Sequence, residues 1–147
     1  MAIEDERFYE HNGIDIQGIL RAGVVGVMNG FDFTEGASTL TQQLIKNNVF
    51  DFVNEKTFFD RVERKLQEQY LALAFEKEMN KNEILEAYLN TINLGQGCLG
   101  VQTASTRYFN KDVADLTLSE CAVIAAITQN PTEYDPVTNP ESNAKTP

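Results

Sequence analysis

Arg61-Val62-Glu63-Arg64-Lys65-Leu66-Gln67-Glu68-Gln69-Tyr70-Leu71-Ala72 is the stretch from which the fold class of this 147-residue chain is read. At about 100° per residue, Arg61, Arg64, Lys65, Glu68 and Ala72 fall on one narrow helical face, and Phe59, Val62, Leu66, Tyr70 and Leu73 on the opposite one. The expected arrangement is an apolar face that packs and a charged face presented to solvent. Taken alone, the charged face is an ordinary solvated one, with Arg64 and Glu68 paired at i,i+4 for a few tenths of a kcal/mol. Its neighbours in the sequence give it more significance.

Working outward, Thr57 to Met79 reads as one long helix around this stretch. Asn80 and Glu83 have capping-box spacing for a helix from Lys81 to about Thr91, with Ile84, Leu85, Tyr88, Leu89 and Ile92 as its core face. The glycine-punctuated segment 93–100 is a loop in which backbone can closely approach a ligand or another helix. A short helix through Tyr108 and Phe109 follows. Thr117 and Glu120 open an almost wholly apolar helix at Leu118 to Ile127, expected to be the buried centre. Pro131, Pro136 and Pro140 are expected to end regular structure.

Toward the N-terminus, Ser38-Thr39 with Gln42 starts another helix, with capping-box spacing between Thr39 and Gln42. A helix start preceded by glycine and hydroxyl residues can receive an anion, although capping is the commoner use. The segment 48–57, with Phe50 and Phe52 next to Phe58 and Phe59, reads as a connecting, flap-like loop, and 31–37 as another loop. Asp15 caps a helix with the apolar stripe Ile16, Ile19, Leu20, Val24, Val27 and Met28, stopped at Asn29-Gly30, in which Gly23 and Gly26 suggest close packing. Ahead of it, residues 4–15 concentrate acids, aromatics and the single histidine, His11. No alternating run reads as a sheet, so the fold class is mainly α in one domain.

The composition narrows the function. A formal net charge of -10, from 22 acidic and 12 basic residues, disfavours non-specific binding to nucleic acid or an anionic lipid surface. An anionic ligand would need a local cluster of bases, and Lys46, Lys56, Arg61, Arg64 and Lys65 supply one. No apolar run reaches the ~18 residues of a membrane-spanning helix, and mean hydropathy is -0.31, so the chain as given is expected to be soluble. Cys98 and Cys121 lack metal-site spacing and are read as small buried apolar residues. No carboxylate spacing identifies a metal site.

Four segments in order, 4–15 (Glu4-Asp5 through His11, Gly13 and Asp15), 36–47 (Gly36, Ser38-Thr39, Gln42-Gln43, Lys46-Asn47), Arg64-Lys65 with Glu68, and 84–90 (Ile84, Glu86, Tyr88-Leu89-Asn90), resemble the peptidoglycan glycosyltransferase family. That family is the polymerase module of class A penicillin-binding proteins and monofunctional transglycosylases. The segments 100–109 and 118–131 are similar as well, so the resemblance covers nearly the whole chain. It implies a lysozyme-like helical lobe with a smaller membrane-facing jaw, and a single glycosyltransferase domain over 1–147, truncated at both ends. Gln96 and Cys98 depart from the commonest family wording of their loop.

The implied reaction is inverting transfer of a glycan from its lipid pyrophosphate to a sugar hydroxyl of lipid II. By resemblance Glu4 is the base and Glu68 the second acid. Lys46, Arg64 and Lys65 meet the pyrophosphate, and Ser38, Thr39 and Gln43 give neutral hydrogen bonds to phosphate or sugar. Asp5, His11 and Asp15 support the loop carrying Glu4. The phenylalanines at 50, 52, 58 and 59 face lipid or a polyprenyl channel, with core packing an equal reading for Phe58 and Phe59. No cofactor is implied, and divalent-cation assistance at the pyrophosphate stays open.

The implied partners are lipid II, the nascent glycan strand and the membrane surface, reached by the jaw and a missing anchor. A transpeptidase domain in the parent protein is a further one. The implied location is the outer face of a bacterial cytoplasmic membrane. Two rival readings are a lysozyme-like hydrolase, which pairs carboxylates but needs no pyrophosphate cluster, and a non-catalytic lipid II- or inhibitor-binding fragment.

Overall fold

The computed structural model describes residues 4–28, 37–50 and 57–145, with backbone alone for 25–28. The stop expected at Asn29-Gly30, most of the flap at 48–57 and most of the loop at 31–37 lie outside the described residues, as do Phe52 and Lys56. The described chain is helical: α1 (Ile16–Met28), α2 (Leu40–Val49), α3 (Phe58–Glu78), α4 (Lys81–Thr91), α5 (Val101–Phe109), a 3-10 turn (Val113–Asp115), α6 (Leu118–Ile127) and α7 (Pro140–Lys145). Among the described residues there is no strand, only an isolated antiparallel bridge between Asn93 and Leu99. No helix of the described residues is long and apolar enough to cross a membrane.

Local chemistry fixes the helix ends. Asp15 accepts the Gly18 amide at 2.9 Å and starts α1. Thr57 and Asp60 form a reciprocal capping box at the start of α3, which ends at Met79. Asn80 and Glu83 do the same for α4: the Asn80 amide reaches Glu83 Oε2 at 2.8 Å, and Asn80 Oδ1 accepts the Glu83 amide at 3.1 Å. Thr117 and Glu120 box the start of α6. Thr39 caps α2 with its hydroxyl, accepting the Gln42 amide at 3.2 Å. Gln42 does not complete that box, because its side-chain amide donates to the Gly13 carbonyl at 3.4 Å instead.

The chain divides into two compact units, residues 1–85 and 86–147, the boundary falling inside α4. In the first, α2 packs along α3, with Phe8, Leu40, Leu44, Ile45, Ala72 and Ile84 buried. The sidedness of α3 is the reverse of the expected one. Glu68 and Ala72 on the charged face are fully buried, whereas Phe59 is 80% and Tyr70 72% exposed, and Val62, Leu66 and Leu73 are exposed too. The charged face can pack because its acid is neutralised within its own turn. Phe58 is likewise exposed rather than core.

The stripe of α1 is also turned outward at Ile16, Ile19, Leu20 and Val24, the side chains of Val27 and Met28 lie outside the described ones, and Gly18 and Ala22 are buried. Among the described residues, nothing lies within 4 Å of where a Gly23 Cβ would stand. Gly13 does serve close approach. At φ +90° it lies so near α3 that a Cβ would stand 2.6 Å from the Ala72 carbonyl oxygen.

In the second unit, Tyr88, Ile92, Leu94, Cys98, Ala104, Ile124, Ala126 and Ile127 are buried. Only the C-terminal half of α6 contributes, and Leu118 at its start is 88% exposed, so α6 is not the buried centre throughout. Cys98 is buried as expected and Cys121 is exposed, contrary to expectation. Pro140 opens α7 instead of ending regular structure, since proline at a first helical position loses no intrahelical hydrogen bond. The loop 93–100 brings Gly100 against α4, where a Cβ would stand 2.4 Å from the Asn90 carbonyl oxygen.

Candidate functional site

The sites read from the sequence all fall in the first unit. The segment 4–13 is a run of turns anchored by Phe8, which is fully buried and has the Lys81 ammonium 4.5 Å from its ring centroid. His11 accepts the Gly13 amide on Nδ1 at 3.2 Å, so its hydrogen is on Nε2, which faces both oxygens of Asp5 at 3.0 and 3.1 Å. Asp5, nearly out of solvent, also accepts the Leu40 amide at 2.9 Å. That amide is among those a helix leaves unsatisfied at its N-terminus. The turn after Glu4 is therefore fastened to the first turn of α2.

Thr39 adds a second fastening by donating to the Gly13 carbonyl at 2.8 Å, and its hydroxyl is wholly buried. Asp15 is fastened differently, with Arg7 Nη2 at 2.5 Å. Burial pushes its carboxyl up, but the Gly18 amide and the Arg7 guanidinium outweigh this and hold it below the usual carboxylate range.

Glu68 projects from the buried face of α3. Arg64, one turn earlier, binds its Oε1, and Lys65 Nζ lies 2.9 Å from its Oε2. The same Lys65 ammonium donates to Ser38 Oγ at 2.6 Å, joining α3 to the residue just before the cap of α2. Ser38, Gln42, Gln43, Lys46, Asn47, Lys65 and Glu68 line one hollow of about 220 Å³. Glu4, Asp5, Glu6, Arg7, Asp15, Gly18, Arg21, Ala37, Ser38 and Thr39 line another of about 190 Å³. Ser38 borders both, and Gln43 connects them, its Nε2 donating to Glu4 Oε2 at 3.0 Å.

The structure thus brings Glu4, Ser38, Thr39, Gln43, Lys46, Lys65 and Glu68 to two adjoining polar hollows, with Asp5 and Asp15 on their walls, His11 against Asp5 and Arg64 against Glu68, whereas Arg61 of the five-base cluster lines neither. One presents a carboxylate, Glu4, of intermediate burial. The other presents ammonium groups of Lys46 and Lys65 with amides and a hydroxyl, a lining suited to an oxyanion. Sequence reasoning missed Arg7, Arg21, Gln42 and Asn47 as lining residues. For Arg21 a signal existed: Asp15, Gly18 and Arg21 recur at three-residue spacing on one face of α1. Among the described residues no three His, Cys, Asp or Glu side chains group to hold a metal ion.

Comparison with known proteins gives the family. The transglycosylase family profile matches residues 1–146. Penicillin-binding protein 1A of Clostridium perfringens (strain 13 / Type A) is 49% identical over 150 residues, covering 100% of this chain and 21% of that protein. Penicillin-binding protein 1A of Neisseria lactamica is 46% identical over 141 residues, 96% of this chain and 17% of that protein. Penicillin-binding protein 1F of Bacillus subtilis (strain 168) is 46% identical over 143 residues, 97% of this chain and 19% of that protein. The chain spans about a fifth of the length of these curated relatives. With a family match along nearly all of its length, the chain belongs to the transglycosylase family.

Proposed function

We propose that this chain is a peptidoglycan glycosyltransferase domain that polymerises lipid II. The observation that carries the reading is the junction at Gln43, where a carboxylate hollow around Glu4 meets a cationic hollow around Lys46 and Lys65. A transfer from a pyrophosphate needs those two chemistries side by side. In the reaction the acceptor sugar hydroxyl gives its proton to Glu4 while its oxygen bonds to the donor anomeric carbon. The bond from that carbon to the pyrophosphate oxygen breaks on the opposite side, with inversion. A positioned general base contributes on the order of 10²–10⁴-fold.

Lys46, Lys65 and Arg64 take up the charge that develops on the departing pyrophosphate, and preorganised donors are the effective form of that help. Glu68 aims Arg64 and Lys65 at the hollow and faces the donor sugar and phosphates. Ser38 and Gln43 contribute neutral groups beside them, and Thr39 fixes the start of α2. Asp5, His11 and Asp15 hold the turn that carries Glu4.

As a whole, 1–147 works as one glycosyltransferase domain of a bacterial penicillin-binding protein, with a transpeptidase domain elsewhere in the parent. The parent acts on the outer face of the cytoplasmic membrane, and the jaw meets the membrane surface. The partners are lipid II and the nascent strand.

Labelled lipid II in detergent, with Glu4→Gln beside the unaltered chain, tests this reading. Polymer that disappears in the variant establishes transfer and base together. Cut glycan in place of polymer would support a hydrolase, and lipid II bound without turnover a binding fragment. Adding EDTA in the same assay decides whether a divalent cation assists.

A further inference from the structure

We propose that the hollow between the loop 93–100 and the segment 131–138, within the second unit, is a glycan subsite that binds neutral N-acetylated sugars of the nascent strand. The inference rests on the reading of the chain as a lipid II polymerase. That reading names the strand as a partner, yet the hollows of about 190 and 220 Å³ in the first unit are lined for a base and an oxyanion. A growing polymer needs a further place to be held.

The second-unit hollow measures about 600 Å³, within the range of about 300–1,000 Å³ usual for ligand sites. Gln96 stands at φ +49° between Gly95 at +76° and Gly97 at +73°, an uncommon conformation for a residue with a side chain. From there its Nε2 donates to Oδ2 of the buried Asp135. Oδ1 of Asp135 accepts the Val137 amide at 2.8 Å and the Thr138 amide at 3.3 Å. Burial pushes the Asp135 carboxyl up, but the Gln96 side chain and these amides outweigh it and hold it below the usual carboxylate range.

These bonds decide which groups are left for a ligand. Because Asp135 is an ionised acceptor, Gln96 turns its N–H toward it and has its Oε1 left over. Asn93 accepts the Gly95 amide on Oδ1 at 3.1 Å and has its side-chain N–H groups left over. The Thr132 hydroxyl can both give and accept. None of these three groups has a partner among the described residues. Beside them Leu99, 63% exposed, and Pro131 present apolar surface to the same hollow.

The ligand class follows from this lining. An anion would face Asp135 with no basic side chain among the described lining residues, and a cation would find that carboxylate already occupied by three N–H donors. A neutral ligand carrying donors, acceptors and small apolar groups meets every surface. In an N-acetylated sugar the acetamido N–H suits Gln96, its carbonyl suits Asn93, its methyl suits Leu99 and Pro131, and a ring hydroxyl suits Thr132.

The test is an NMR titration of the whole chain with a soluble probe, the tetramer of β-1,4-linked N-acetylglucosamine. Signals of residues 93–99 and 131–138 should shift, with a dissociation constant on the order of 1 mM. Leu99→Asp, at an exposed position, and Gln96→Gly, since glycine is at ease at φ +49°, should each weaken binding by about tenfold. Lys65→Met should leave the affinity for the tetramer unchanged, and inorganic pyrophosphate should not move the same signals. In lipid II polymerisation Leu99→Asp should shorten the strands while the first coupling keeps its rate.

Absence of shifts at these residues, an affinity unchanged in both hollow variants, or an equal response to pyrophosphate overturns the subsite. Failure to polymerise lipid II, with the tetramer still bound here, rejects the polymerase reading and leaves the sugar site standing. Polymerisation without tetramer binding does the reverse.

Discussion

Arg64 and Lys65 divide the two oxygens of Glu68 between them, Arg64 on Oε1 and Lys65 on Oε2, around a carboxylate wholly removed from solvent. A buried charge left without its partner is costly, whereas the loss of a solvent-screened partner costs less. The two bases should therefore differ. Arg64→Met is expected to lower stability by about 3 kcal/mol. Lys65→Met, whose side chain is 37% exposed, should lower it by only about 1 kcal/mol. Urea denaturation at neutral pH reads both values, and equal losses would contradict the division.

Two glycines should respond to alanine with opposite signs. Gly23 lies inside α1 with none of the described residues within 4 Å of its missing Cβ, so Gly23→Ala should stabilise by about 0.5–1 kcal/mol through helix propensity and a less free unfolded chain. Gly13→Ala must place a Cβ 2.6 Å from a backbone carbonyl at φ +90°, and should destabilise by about 2 kcal/mol or more. Thermal unfolding of the pair, side by side, checks the signs.

Tyr108 donates its hydroxyl to the Leu94 carbonyl at 2.7 Å, and burial, with help from nearby Cys98 and Asp135, pushes its pKa up to about 12. A phenol raised above its ordinary value of 10.0 contributes stability that is complete below that value and is lost as pH climbs through about 12. An ultraviolet titration should show a late-ionising step from Tyr108, which Tyr108→Phe should remove. The same variant should cost about 1 kcal/mol at neutral pH for the lost hydrogen bond.

Glu120 gives the acid-side counterpart. The Lys111 ammonium at 2.7 Å, then the Thr117 amide and hydroxyl, hold its carboxyl down at about 2, from an ordinary 4.5. The stability it contributes is present above the ordinary value and fades as pH falls toward 2. Melting temperatures of the unaltered chain and Glu120→Gln should differ at pH 6 and converge near pH 2. A constant gap across that range would show that the carboxylate charge plays no part.

The sequence carried the local parts of this structure well. The caps at Asn80 and Glu83 and at Thr117 and Glu120 formed as spaced, because both partners sit within one turn and need no tertiary context. Three of the four segments that resemble the family, 4–15, 36–47 and Arg64-Lys65 with Glu68, also held most of the residues that line the two hollows. What the pattern could not give was which face of α3 turns inward. Periodicity tells which residues share a face, and the rule that apolar residues go inside chose the wrong one here. Glu68 inside is tolerable only because its neutralising bases are its own near neighbours, and Ala72 inside because Gly13 lets another backbone come close. The contact from Gln43 to Glu4 spans 39 positions and left no local signal.

The boundary between the two compact units falls between Leu85 and Glu86, within a helix of 11 residues. Severing the chain there would leave stubs of about one and a half turns each, far short of the ~12–15 residues at which an isolated helix begins to persist in water. Neither portion could keep its share of that rod. The half bearing the carboxylate and cationic hollows is thus a poor target for dissection into a minimal catalyst, and any shortened version should retain α4 to its end at Thr91.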